Sequence, residues 1–136
     1  MRKETTIKNI DPRQLDRLFQ SIGWTKRGKN KWKKVLSKSS FVYSVWDNNK
    51  LIGFGRIVED GVMCMFYDIC VNPKYQGQGI GIQIMKKLVK QVKNKKYTSI
   101  GLFVWEKNIK AIPFYKKFGF KRVKTGMELT KYMKRD

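Results

Sequence analysis

A change of hydrophobic period in the middle of the chain constrains the fold more than any other feature. Residues 63–71 (MCMFYDICV) are β-branched, aromatic and apolar enough for a strand at the centre of a sheet. From Gly79 onward the apolar positions Ile82, Met85, Leu88, Val89 and Val92 recur about every 3.6 residues, with Lys86, Lys87, Lys90 and Lys93 on the opposite face. A strand therefore passes, across one turn, into an amphipathic helix. The turn contains Gln76-Gly77-Gln78-Gly79-Ile80-Gly81. Three glycines at alternating positions let successive backbone amides point into one concavity without Cβ atoms in the way. The helix that starts there adds its unsatisfied amides and positive dipole end, so an anionic diphosphate is the expected occupant. Glycines serving only tight packing are the alternative. The spacing is not that of a P-loop, which needs Gly-Lys-Ser/Thr, nor of a Gly-x-Gly-x-x-Gly dinucleotide turn.

The flanking sequence supplies the rest of an α/β domain. Residues 5–9 read as a short edge strand. Asp11, Pro12 and Gln14 form a helix start, followed by Leu15, Leu18, Phe19 and Ile22 on one face and a stop at Gly23. A second helix is expected over 31–37, with Trp32, Val35 and Leu36 as its apolar stripe. Residues 41–46 and 51–58 flank the turn Asp47-Asn48-Asn49-Lys50 as a hairpin, and Glu59-Asp60-Gly61 turns into the central strand. A strand over 99–105, a helix over 108–117 with Pro113 near its start, and a final hairpin or strand over 121–132 complete the order. With 136 residues, no internal repeat and no linker-like stretch, one domain over 5–133 is expected.

Charge and cysteines bound the partners. Thirty-one Lys and Arg against ten Asp and Glu give a formal charge of +21. Such a field attracts polyanions, nucleic acid among them, although a lysine-rich solvated surface explains it equally well. A polyamine substrate would be repelled unless the few carboxylates gathered around its pocket. No apolar run approaches the roughly 20 residues of a membrane span, and residues 1–4 lack the apolar stretch of a signal peptide, so a soluble, cytoplasmic protein is expected, as monomer or homodimer. Cys64 and Cys70 share one strand at about 20 Å, from roughly 3.3 Å per residue, and cannot pair while it is extended. With no histidine and no second cysteine cluster, no metal site is expected.

Two motifs together resemble the GNAT acyltransferase superfamily. Gln76-x-x-Gly79-x-Gly81, preceded by Val71-Asn72-Pro73, is similar to its acyl-CoA loop, and Asn108, Ala111 and Phe114-Tyr115-Lys116-Lys117-Phe118-Gly119-Phe120 to its second hallmark. The combination of Gly23-Trp24, Leu51-Ile52-Gly53-Phe54 and Asp68-Ile69 resembles short arylalkylamine-type members. The resemblance spans residues 5–132. It implies a mixed, mostly antiparallel sheet flanked by helices, whose central strands splay apart around the pantetheine arm. It further implies that acetyl-CoA is the co-substrate and that the acetyl group passes by direct attack to a primary amine, on a small molecule or a peptide, in a ternary complex. Ile69 and Val71 would bond pantetheine, Gln76, Gly77, Gln78, Gly79, Ile80 and Gly81 the diphosphate, and Asn108 the arm near the thioester. A non-catalytic acyl-CoA- or RNA-binding module is the rival reading.

Acyl transfer to an amine needs a neutral amine, a polarised carbonyl and a proton for the departing thiolate. Tyr115 matches the tyrosine that serves as acid in the family, and a phenol of pKa about 10 can donate to a thiolate; packing the helix on the sheet is its other role. Asp68 is the one carboxylate in the central strand, where burial is expected to raise its pKa towards that of a useful base. Ordered water is the alternative route, with Asp68 bonding backbone. Simple alternation puts Asp68 on one face with Phe66 and Cys70. Phe19, Trp24, Trp32, Phe41, Phe54 and Phe66 are the candidate walls of an aromatic acceptor pocket, or core.

Overall fold

The computed structural model describes residues 1–123 and 127–134. It comprises two compact units, Met1–Phe103 and Val104–Asp136. The first holds a five-stranded sheet in the order β1 (Arg2–Thr5), β2 (Phe41–Asp47), β3 (Lys50–Glu59), β4 (Met63–Val71) and β5 (Ser99–Leu102). Neighbours from β1 to β4 are antiparallel, whereas β4 and β5 are parallel. A parallel pair cannot be joined by a tight turn. The period change read in the sequence is this crossover: helix α3 (Ile80–Val92) lies between β4 and β5 in the chain.

Helix α1 (Pro12–Ser21) begins as expected: Asp11 is its N-cap, accepting the Arg13 amide at 2.9 Å, and Pro12 opens its first turn. Helix α2 (Lys29–Lys38) buries Trp32 and Leu36. Both pack on the face of the sheet that carries Val42, Phe54 and Cys70, where Leu15, Leu18 and Phe19 close the core. The edge strand falls at residues 2–5, earlier than the 5–9 expected, because it pairs backbone with β2 from Arg2↔Asp47 to Thr5↔Ser44. The 47–50 turn and the 63–71 strand stand where the sequence put them.

Helix α3 covers the other face and approaches it closely. A Cβ added at Gly55 would stand 2.8 Å from Ile84 Cγ2, and one at Gly53 2.9 Å from Ile80 Cγ2, both methyls belonging to buried side chains. The two glycines of β3 thus set the helix-to-sheet distance. Gly55→Val should lower stability by about 1–3 kcal/mol through overpacking. Urea unfolding measures this, and an unchanged midpoint would mean that the interface has slack.

The second unit is less regular. A 3-10 segment, Glu106–Ala111, runs into the short helix α4 (Ile112–Lys116), so the single helix expected over 108–117 is divided, with Asn108 non-helical at φ −117°, ψ 27°. The strand expected over 121–132 is absent among the described residues, where Thr130–Tyr132 forms a 3-10 turn; residues 124–126 of that stretch lie outside them. No described helix is long and apolar enough to cross a membrane.

Candidate functional site

The site is built where β4 and β5 part. Their pairing runs from Met63↔Ser99 to Phe66↔Leu102 and stops, while β4 continues to Val71 against β3 alone. Among the described residues, the edge of β4 that faced β5 is therefore unpaired over residues 67–71. The Asn72 amide donates to the Ile52 carbonyl at 2.8 Å, so ladder alternation turns the polar groups of Val71 away from β3, towards the open edge. Gln76 Nε2 reaches the Val71 carbonyl there at 3.3 Å.

At the C-terminal end of β4, Asn72 accepts the Lys74 amide at 2.9 Å and caps a 3-10 turn over Pro73–Tyr75. Gly77 (φ 80°) and Gly79 (φ 81°) then take the left-handed conformation that disfavours any side chain. Gly79 is the N-cap of α3, its carbonyl accepting the Gln83 amide at 3.0 Å. Among the described residues, the amides from Gly77 to Ile82 find no protein acceptor. Six unbonded donors at the positive end of a 13-residue helix form a cradle fit for a diphosphate. The three glycines are not equivalent, however. Gly81 lies within the first turn of α3 and has no positive φ, so only two of them bend the loop.

Asp68 departs from expectation. Between Phe54↔Cys70 and Arg56↔Tyr67 the β3–β4 register shifts, leaving an extra residue on β4, and Asp68 sits in that bulge at φ 60°. The bulge reverses the facing of the residues before it. Phe66 pairs with Ile57 and shares the α3 face, whereas Cys70 pairs with Phe54 on the opposite face, so the shared face expected for Phe66, Asp68 and Cys70 does not form. The Asp68 carboxylate accepts Arg27 Nη1 at 2.6 Å and Nη2 at 2.8 Å, and Arg56 Nε at 2.6 Å. Burial alone would push its pKa up. The hydrogen bonds and charge of Arg27, with those of Arg56, outweigh burial and hold it below the usual carboxylate range, opposite to the expected direction.

Arg27, in the connection between α1 and α2, went unremarked in the sequence. Its guanidinium lies 4.9 Å from the Phe19 ring centroid and 4.6 Å from that of Trp32. The connection is fastened by Asp16, which accepts the Arg27 amide at 2.8 Å, the Gly28 amide at 3.2 Å and Trp32 Nε1 at 2.7 Å. Arg56 donates its Nη1 to Ser39 Oγ at 3.3 Å. One signal for this cluster was present: Arg56 is a lone cation inside an apolar strand, and a buried cation needs a carboxylate. Of the proposed pocket walls, Phe19, Trp32, Phe54 and Phe66 are core side chains, while Trp24 and Phe41 are half-buried.

Cys64 and Cys70 are buried free thiols, and burial pushes both pKa values up, well up for Cys70. Asn108 and Tyr115 belong to the second unit. Asn108 stands at its kink, and the Tyr115 ring lies 5.3 Å from Phe114 and 6.3 Å from Phe120.

Residues 8–120 match the family model described as "Acetyltransferase (GNAT) family". Over 121 residues the chain is 36% identical to the uncharacterized N-acetyltransferase ycf52 of Porphyra purpurea, and over 118 residues 36% identical to that of Pyropia yezoensis, covering 85% and 83% of its own length. It spans 68% and 66% of the length of these relatives. Among solved structures, a probable acetyltransferase from meticillin-resistant Staphylococcus aureus superposes with a TM-score of 0.85 at 28% identity, covering 96% of this chain and 99% of the other.

Proposed function

Because the chain belongs to the GNAT acetyltransferase family, we propose that it transfers an acetyl group from acetyl-CoA to a primary amine by direct attack in a ternary complex. What supports this reading above all is the cradle of unbonded amides from Gly77 to Ile82, beside the unpaired edge of β4. Gln76, Gly77, Gln78, Gly79, Ile80 and Gly81 would hold the diphosphate, and the backbone of Ile69 and Val71 the pantetheine arm, with Asn108 contributing by family resemblance. Bound acetyl-CoA supplies a thioester whose carbonyl carbon bonds the amine nitrogen as its C–S bond breaks. A β4 backbone amide near Ile69 or Val71 polarises that carbonyl.

The remaining work is proton movement. Tyr115 donates its phenolic proton to the departing sulfur. The amine must arrive unprotonated, and the Arg27 and Arg56 guanidiniums at the bulge disfavour an ammonium group beside them. Asp68, held in its ionised form, is a weaker base than burial alone would have made it; its main role is to position Arg27, and the amine proton leaves through water. Two free thiols fit a reducing compartment such as the cytoplasm.

Release of thiol from acetyl-CoA across a panel of small amines and peptides tests the activity, and complete inactivity would favour a binding module instead. Tyr115→Phe should lower kcat about 100-fold with little change in KM for acetyl-CoA. An unchanged kcat excludes Tyr115 as the acid.

A further inference from the structure

The charges around the bulge bear on the acceptor itself. Every carboxylate within residues 1–103 already has a protein partner. Glu4 takes Tyr43, Asp11 takes Arg13, Asp16 takes Trp32, Asp47 takes Tyr75, Glu59 and Asp60 take amides of their own turn, and Asp68 takes the two arginines. Of these seven, only Asp68 stands in the stretch of β4 that has parted from β5, and both of its oxygens are taken by guanidiniums. Two carboxylates stand near the arginine pair: Asp68, which bonds both guanidiniums, and Asp16, which accepts the Arg27 backbone amide. Asp68 and Arg56 are 9% and 11% exposed at the side chain and Arg27 is 29% exposed, so Arg27 is the member of the cluster that meets solvent.

Arg27 is also built to receive an anion. A guanidinium has five N–H donors in a rigid plane, and Asp68 engages Nη1 and Nη2 with one bond each. The Phe19 and Trp32 rings and the bidentate pair hold that plane. Lys26 and Lys29, close to it in sequence, and Lys33 and Lys34 farther along α2 are exposed, and α2 contains no acidic residue. Asp68 itself stands in the stretch of β4 that has parted from β5, so the cluster borders the proposed path of the thioester.

We infer that the acceptor amine is carried on a molecule that also bears an anionic group, a carboxylate or a phosphate, and that Arg27 receives that group. The inference rests on the acetyltransferase reading and adds the acceptor class to it. The amine nitrogen forms the new C–N bond and loses its proton to water, while the anionic group is unchanged by the reaction and serves as the handle.

Matched acceptors test it with the full chain and acetyl-CoA: β-alanine against propylamine, O-phosphoethanolamine against ethanolamine, and 1,3-diaminopropane as the cationic arm. Rates of CoA release are corrected for the unprotonated fraction of each amine. At least one anionic acceptor should exceed its neutral match in kcat/KM by about tenfold or more, with the diamine lowest. Which of the two leads distinguishes carboxylate from phosphate. Arg27→Gln should bring the ratio of anionic to neutral acceptor close to one, and Arg27→Lys should restore part of it. A ratio unchanged in Arg27→Gln, or an equal loss with both acceptors, overturns the role of Arg27. A wild-type preference for neutral amines or the diamine overturns the inference while leaving the transferase standing. Release with no amine at all removes the transferase reading, and the inference falls with it.

Discussion

Replacing Asp68 with asparagine should destabilise the protein by about 3–5 kcal/mol, the usual cost of leaving a buried charge without its counter-ion. The carboxylate is 9% exposed and accepts from two guanidiniums. Its removal would leave Arg27 and Arg56 repelling each other at the edge of the core. Asparagine is the informative substitution because it tolerates the left-handed backbone at φ 60°, so that strain and charge are not changed together. Urea unfolding of wild type and variant gives the difference, and a loss below about 1 kcal/mol would show that the cluster is solvated and weak. The pH dependence supplies a second readout. The pKa of Asp68 is depressed in the folded protein, so its contribution is fully present above the unfolded value of about 3.9 and is lost as pH falls through the folded one. Between pH 5 and 8 this group should add no slope to stability. Below about pH 4 the wild type should lose stability more steeply than Asp68→Asn.

The second large effect is expected at the loop. Gly79→Val should weaken acetyl-CoA binding about 5- to 150-fold, the equivalent of about 1–3 kcal/mol of backbone strain at the N-cap of α3. A Cβ at Gly79 would meet nothing within 4 Å, so the fold has no steric reason to fail. The penalty lies in φ 81°, which a β-branched residue can relieve only by moving the amides that face the ligand. Calorimetric titration with acetyl-CoA, together with an unchanged circular dichroism spectrum, separates lost binding from lost structure. Full affinity in the variant would mean that the diphosphate is held elsewhere.

How far the sequence was legible depends on how local each signal was. The cap at Asp11 and Pro12, the strand over 63–71 and the switch to the 3.6 period of α3 are written in neighbouring residues, and all three are found, although the buried face of α3 runs through Ile80, Ile84, Met85, Leu88 and Val92 and leaves Ile82 exposed. The glycine loop is equally local. The bulge at Asp68 is not: it arises from one extra residue in β4 relative to β3, and no alternation rule applied to β4 alone reveals it. It turns Phe66 to the opposite face, away from the acceptor side proposed for it. The pKa of Asp68 failed for a related reason. Burial was legible from its apolar neighbours, but the two arginines that outweigh burial stand 41 and 12 residues away in sequence. Amid so many lysines, Arg27 carried no mark that distinguished it. Only the buried position of Arg56 pointed to a missing counter-ion.

Asp16 gives the acceptor side one further property. By accepting two successive amides and the Trp32 indole, it fixes the connection between α1 and α2 from within the fold, with no contribution from a ligand. Arg27 is therefore pre-organised, and an acceptor that meets it need not lose binding energy to ordering a loop. The same rigidity carries a cost in range, because a connection that cannot re-pack discriminates by shape as well as charge. A narrow acceptor spectrum is the expected consequence of the proposed role of Arg27, and Asp16→Asn, by loosening the connection, should broaden it.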